Sequence, residues 1–336
     1  SEAVRQTRQA IRKARKANPD ARLLVTGCAA DIEREKLGAM PEVDGLIANA
    51  AKLDPRAWNV PASAPTTAAI HTRAFVAVQN GCDHACTFCV IPQGRGKSRS
   101  LPIDEVLREI ETHLDAGAAE VVLTGVDVTS WGHDLANSPK LGALVSAVLN
   151  AFPELARVRM SSIDGIEVDD QLFELFADER RIMPHIHLSL QHGHDLILKR
   201  MKRRHSRADA IDLVSRLKAR RPEIAIGADL IAGFPTECDD HHEANLSIIR
   251  ELDIVHGHIF PYSVRPGTPA ARMPQVDRPS VKRRAAELRA QVAVQRSDWL
   301  PSLLGKPLEV LAEAGGTGYS PEFARVSLSH GTSRGS

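Results

Sequence analysis

Residues 74–100 read AFVAVQNGCDHACTFCVIPQGRGKSRS. The run AFVAVQ (74–79) is short, apolar and rich in β-formers, which predicts a buried strand ending at Asn80-Gly81. Three cysteines, Cys82, Cys86 and Cys89, follow at once in a CxxxCxxC spacing. Thiolates are the usual protein ligands of iron–sulfur clusters, and three of them on one loop can wrap one face of a [4Fe–4S] cube. The fourth iron then lacks a cysteine, which suits binding of a cofactor or substrate at iron better than pure electron transfer. Two other readings stand beside this one. The i, i+4, i+7 spacing also fits a buried helical face, but Gly81 and Asp83 point to a loop. A structural zinc site would need a fourth ligand, for which His84 is the nearby candidate.

Downstream of this segment the pattern repeats. Apolar runs at 119–124, 156–161, 186–190, 224–231 and 254–260 are separated by helical patterns at 103–116, 139–150, 169–180, 206–220 and 239–252. Strands alternating with helices at this spacing predict βα units and a parallel sheet. Six units suit a doubly wound sheet or an incomplete barrel, with chemistry at the C-terminal ends of the strands. Upstream, a basic helix over 1–17 is broken at Asn18-Pro19, and short apolar runs at 21–26 and 43–48 make a small α/β piece. Pro55, Pro61 and Pro65 mark 54–72 as a linker. Beyond Pro261, a charged helix at 280–298 precedes two strand-like pieces around a Gly-rich turn in 305–328. About 30 residues cannot bury a core of their own, so this piece must dock on the barrel or be incomplete.

Composition sets limits. The 336 residues are 43% apolar with only 4% aromatics, so the core rests on Leu, Ile, Val and Ala. No run of about 18 apolar residues occurs, which argues against a membrane span. The net charge of +1 is uninformative, but basic clusters at 5–22 and 199–207 suit either a phosphate backbone or solvated helix faces. The five cysteines are odd in number and three are packed together, which points to metal ligation in a reducing, cytoplasmic compartment rather than to disulfides. His185, His187, His192 and His194 fall within ten residues, but two lie on a strand and two beyond its end, which disfavours one shared metal site.

The cysteine motif at the end of a first barrel strand resembles the radical S-adenosylmethionine (radical SAM) superfamily. The stretch QNGCDHACTFCVIPQGRGKSRS (79–100), with LTGVDVTSWG (123–132), SLQHGHDLILKRMKRRHSR (189–207), GADLIAGFPTE (227–237) and FPYSVRPGTPAA (260–271), resembles the tRNA methylthiotransferase family. The KRMKRRHSR form is most similar to the branch acting on N6-threonylcarbamoyladenosine (t6A). The resemblance implies a partial (β/α)6 barrel over 73–271 and a [4Fe–4S] cluster held by Cys82, Cys86 and Cys89. Its open iron would bind S-adenosylmethionine and generate a 5′-deoxyadenosyl radical. It further implies cofactor contacts from Phe88, Thr124, Gly125, Asp127, Arg159, Ser161, Gln191 and Asp229. Arg95, Lys97, Arg99, Arg203 and Arg204 become candidates for the RNA. The implied partners are the anticodon stem-loop of tRNA, an electron donor and a sulfur source, and the implied product is a methylthio group at C2 of adenosine 37. His194 stands where the family would carry an acidic residue, so no role passes to it.

The ends depart from the family pattern. Full-length members hold a second [4Fe–4S] cluster on three N-terminal cysteines, of which only Cys28, in VTGCAA, has a counterpart here. Residues 1–53 are therefore expected to be a truncated N-terminal domain. The segment 301–330 is expected to be the start of a truncated small β-barrel of the TRAM type, after a connecting helix over 272–300 and before a disordered tail at 331–336. Alternative readings are a methylthiotransferase for isopentenyladenosine-37 or for a ribosomal-protein aspartate, and a non-catalytic iron–sulfur RNA-binding protein.

Overall fold

The computed structural model describes residues 2–52, 54–59, 72–313 and 315–328. Most of the 54–72 linker and the whole 331–336 tail lie outside the described residues. The chain opens with helix α1 (Glu2–Ala17), strand β1 (Leu24–Val25), helices α2 (Cys28–Ile32) and α3 (Arg34–Gly38) and strand β2 (Gly45–Leu46). Strand β3 (Arg73–Asn80), helix α4 (Ile91–Arg95) and strand β4 (Arg99–Ser100) carry the cysteine segment. Alternation then sets in with α5 (Ile103–Asp115), β5 (Glu120–Gly125), α6 (Leu141–Ala151), β6 (Val158–Met160), α7 (Asp170–Asp178) and β7 (His185–Gln191). It continues through α8 (Asp195–Met201), α9 (Arg207–Arg220), β8 (Ala225–Ala232), α10 (Asp239–Glu251) and β9 (Ile254–Pro261). Helix α11 (Arg278–Trp299) leads to β10 (Leu311–Glu313), β11 (Thr317–Tyr319) and β12 (Arg325–Ser327). All six expected barrel strands and all five expected helices between them are present.

Two compact units form. One combines residues 1–67, 81–97 and 263–272; the other holds 68–80, 98–262 and 273–336. In the first unit, β1 and β2 pair in parallel over a small core of Ile11, Val25, Ala30, Leu37 and Met40. Arg15 ties α1 to this core by donating to the carbonyls of Pro19, Ala21 and Glu42 and to the Asp44 carboxylate. Asp44 is held below the usual carboxylate range by the Leu23 N–H and by Arg15. Arg8 and Arg12 face Glu33 and Glu42. Part of the basic helix is thus spent on intramolecular pairs rather than left as a uniform cationic face.

In the second unit the strands form two sheets, ordered β4-β3-β5-β6 and β7-β8-β9, parallel throughout except that β4 runs antiparallel to β3. Isolated parallel bridges, Val158 with Ile182 and Ile163 with Leu188, connect them across the gap between β6 and β7. Strand β6 has only three residues, too short to carry a continuous ladder on both edges. Along β3, Ala74, Val76 and Val78 are buried, while Phe75 and Ala77 on the opposite face are exposed. The buried faces meet the apolar stripes of the helices, among them Val106 and Ile110 of α5, Leu144 and Val148 of α6, Leu217 of α9 and Leu288 of α11. Each fully buried Leu or Val there is worth about 1.5–3 kcal/mol relative to exposure.

The opposite face is polar at its base. Glu120, fully buried, receives Arg73 Nε at 2.5 Å, Arg159 Nε at 3.0 Å and Arg157 Nε at 3.3 Å. Strands β10 and β11 and the turn that follows β11 cover this cluster. Arg73 also reaches Glu313 at 3.1 Å, Arg159 donates to the Ser320 carbonyl at 2.9 Å, and His256 meets the Glu322 carbonyl at 3.1 Å. Phe323 stacks on His185 and Tyr319, with the Arg159 guanidinium 5.0 Å above its ring.

The expected start of a small β-barrel is therefore corrected. The C-terminal strands form an open antiparallel sheet ordered β10-β11-β12, and no closed C-terminal barrel exists among the described residues. Three strands of three residues each cannot curl into a closed ladder. They gain their burial by docking on the charged base of the parallel sheets instead.

Candidate functional site

Gly81 starts the cysteine loop with φ +79°, and a Cβ there would sit 1.9 Å from the Lys97 carbonyl oxygen. Only glycine allows that approach, which lets Cys82 N–H close the loop on the Gly96 carbonyl at 3.2 Å. Within it, Cys89 N–H donates to the Cys86 carbonyl at 3.1 Å. Backbone N–H groups also address the sulfurs, His84 to Cys82 Sγ and Ile91 to Cys89 Sγ, each at 3.4 Å. Cys82, Cys86 and Cys89 are partly exposed and none is in a disulfide. Three partly exposed cysteines on one loop, with N–H donors among them, form a donor set that fits a cluster. The same unit holds Cys28 at the start of α2. A Cβ on Gly94 would come within 2.9 Å of Cys28 Cβ, and the buried Asn49 donates to the Gly94 carbonyl at 3.1 Å. Thr87 is buried and accepts from Ala270 N–H, which anchors the loop between Cys86 and Cys89 beside Phe88.

In the other unit, the strand ends carry linked polar groups. Gln79, next to last in β3, donates to Ser98 Oγ at 2.8 Å and accepts from Asp127 N–H at 2.9 Å. A Cβ on Gly125 would approach Gln79 Oε1 at 2.9 Å. Thr124 donates to the Val76 carbonyl, and Ser130 bridges Asp127 and Glu167. Ser161 follows β6 with its hydroxyl buried and without a hydrogen-bond partner. Such an orphaned hydroxyl at a strand end is what a bound polar ligand would satisfy. Gln191 ends β7 with φ +66°. After β8, the Glu237 carboxylate accepts from Gly233 and Phe234 N–H and is held by His192 and Arg284. Burial opposes ionisation of Glu237, but these partners keep its carboxyl below the usual range.

Asp229, on β8, accepts from His187 Nε2 and His258 Nδ1, each at 3.1 Å, while Ser162 reaches its second oxygen at 3.3 Å. Burial opposes ionisation of Asp229, yet the two histidines hold its carboxyl well below the usual range. The same bond raises His258. Four nearby histidines divide their roles. His192 serves Glu237, His194 caps α8 by accepting from Leu196 N–H, and His185 packs against His256 and Phe323. Only His187 joins Asp229.

Three candidate residues lie elsewhere than their sequence reading implies. Arg159 belongs to the Glu120 cluster at the base, away from the strand C-termini. Arg203 is buried against Asp164 at 2.8 Å, and Arg204 is spent on Asp164 and Glu167. Lys97 and Arg99 remain exposed and Arg95 is half-buried. The reading missed Gln79, Glu120, Asp164 and Glu237, single polar residues inside apolar or loop stretches. The alternation in IVHGHIF would have put His256, His258 and Phe260 on one face.

Residues 76–247 match the radical SAM superfamily. A threonylcarbamoyladenosine tRNA methylthiotransferase from Rickettsia prowazekii (strain Madrid E) is 46% identical over 97% of this chain and 81% of its own length. The chain belongs to the radical SAM tRNA methylthiotransferase family. A tRNA-2-methylthio-N(6)-dimethylallyladenosine synthase from Ruegeria sp. (strain TM1040) is 37% identical over 72% of the chain, which spans 55% of that relative. Coproporphyrinogen III oxidase from Escherichia coli, described as a radical SAM enzyme, shares the fold with TM-score 0.50 at 16% identity, over 67% of this chain and 53% of that one. Membership implies a [4Fe–4S] cluster and S-adenosylmethionine as cofactors. Among the described residues no helix is long and apolar enough to cross a membrane.

Proposed function

We propose that this chain directs insertion of a methylthio group at C2 of adenosine 37 in tRNA that carries threonylcarbamoyl on N6. The observation that supports this reading most is the 46% identity to a threonylcarbamoyladenosine tRNA methylthiotransferase, sustained over 97% of the chain and including the Cys82–Cys86–Cys89 loop. In this reading Cys82, Cys86 and Cys89 hold the cluster, and a reduced cluster with S-adenosylmethionine supplies a 5′-deoxyadenosyl radical. The turn at Gly81 and the N–H donors to Cys82 and Cys89 hold the cysteine loop in place. Thr124, Gly125, Asp127, Ser161 and Gln191 are proposed to orient the cofactor, with Phe88 beside the cluster. Of these, Ser161 offers the unsatisfied hydroxyl. Arg95, Lys97 and Arg99 are proposed to meet the phosphates of the anticodon stem-loop, whose unstacked bases can be turned toward the radical at modest cost. An electron donor and a sulfur source complete the reaction. Cys28 is proposed as a ligand of a second cluster, which one cysteine cannot hold by itself.

The test is nucleoside mass spectrometry of tRNA from cells lacking the gene, with ribosomal protein analysed in parallel. Loss of the methylthio derivative of threonylcarbamoyladenosine is expected. Loss confined to the dimethylallyl derivative, or to a modified aspartate, would overturn the reading.

A further inference from the structure

The two kinds of relative differ in what their substrates carry on N6. A threonylcarbamoyl group ends in an anionic carboxylate, while a dimethylallyl group is a neutral hydrocarbon. A chain that acts on the first needs a hydrogen-bond donor or cation free to meet that anion. Most cations toward the strand C-termini of the second unit are already engaged. Arg203 and Arg204 are held by Asp164 and Glu167, Arg284 by Glu237 and Asp239, and Arg207 by Glu251 and two carbonyls. Arg200 donates to Thr236.

His258 differs. Its side chain is 65% exposed on β9, yet its ring is fixed, because Nδ1 is bonded to Asp229 at 3.1 Å. That bond directs the other ring nitrogen, Nε2, outward, where it donates when the ring is protonated, the form that a carboxylate on each side of the ring stabilises. The opposite flank is set by His187, which shares Asp229 and lies 4.6 Å from His258 between ring centroids. Gly227 makes this possible, since a Cβ there would come within 2.3 Å of His187 Nδ1. Two residues further along β9, Phe260 is half exposed, its ring edge-on to His258 at 6.5 Å. One strand face thus offers a fixed N–H donor beside an open aromatic plane, the pair of features that an N6-carboxylate and its purine present in complement.

We propose that His258 is the specificity-determining residue for the anionic N6 substituent: Nε2–H donates to its carboxylate, Asp229 fixes the ring, and Phe260 packs against the base. This rests on the t6A reading given above. The hydrogen bond to the Asp229 carboxylate also raises the His258 imidazole above its ordinary range, against the effect of burial.

The experiment compares binding of an anticodon stem-loop carrying threonylcarbamoyladenosine with the same stem-loop as its methyl ester, by fluorescence anisotropy. The unsubstituted protein is expected to prefer the acid by about tenfold, the value of one charge-assisted hydrogen bond. His258→Gln should bring the ratio near one and leave affinity for the ester unchanged. Asp229→Asn, which frees the ring, should reduce the ratio partway. The proposal is overturned if the unsubstituted protein does not distinguish acid from ester, if His258→Gln keeps the preference, or if it weakens both ligands equally. Nucleoside mass spectrometry on the unsubstituted protein keeps the two claims apart: failure to methylthiolate the acid form refutes the proposed function whatever the ester comparison gives.

Discussion

Glu120→Gln probes how the C-terminal sheet is held. Glu120 has no exposed surface, and its two oxygens serve three guanidiniums whose side chains are at most 10% exposed. The amide keeps the shape but removes the only carboxylate within 4 Å of Arg157 and Arg159 among the described pairs. Desolvation already lowers Arg159 to about 10, so its charge is costly to bury. Leaving buried cations without their anion costs about 3–5 kcal/mol. For a chain of this size that lowers the melting midpoint by on the order of 10 °C. Circular dichroism melting reads the total, and hydrogen exchange over 311–328 should show the docked sheet releasing first. Adding Arg159→Met should return part of the loss, because it removes one of the stranded charges. A loss below about 1 kcal/mol, or a double variant whose losses simply add, would refute this account of the base.

Other consequences are equally open to measurement. Replacing Cys82, Cys86 and Cys89 together by Ala should take iron after anaerobic reconstitution from about four per chain to near zero; about eight in the parent would mean that Cys28 finds further ligands. Gly227→Ala should cost about 1–3 kcal/mol, because the new Cβ collides with His187, and the His187 ring resonances should shift by NMR. Burial lowers His256 to about 4, so the unfolded chain takes up a proton between its ordinary value of 6.5 and 4 that the folded chain refuses. Stability should therefore fall as pH drops through that window, and His256→Leu should flatten the slope in denaturant titrations.

The parallel sheets were legible because each strand buries an apolar face against helices, and both periodicities survive in the sequence. The limits of β3 and β8 follow from Gly81 and Gly233, which end them in turns of positive φ. Helix α8 was not legible. Its seven residues, DLILKRM, sit inside a basic run and are fixed by the His194 cap and packing of Ile197 and Leu198. Nor was the break between β6 and β7, where the ladder thins to single bridges.

The site divides along the same line. The cysteine triad is a local pattern, so spacing alone reveals it. Glu120, Asp164 and Asp229 act through partners 29 to 42 positions away or more, such as His258, Arg203 and His187, and no local signal marks them. The C-terminal segment was misread as the start of a barrel because strand patterns carry no record of what lies beneath them. The polar base that draws Phe323 inward is assembled from β3, β5, β6 and β7 only after folding.

The most direct measurement follows one hydrogen atom. Reduced, reconstituted protein is incubated with S-adenosylmethionine and a t6A-bearing anticodon stem-loop deuterated at C2 of adenosine 37, and the 5′-deoxyadenosine is analysed by mass spectrometry. The account predicts deuterium in the 5′-deoxyadenosine, and neither product nor label when Cys82, Cys86 and Cys89 are replaced. 5′-Deoxyadenosine formed without deuterium from that substrate, or formed by the triple variant, would contradict it.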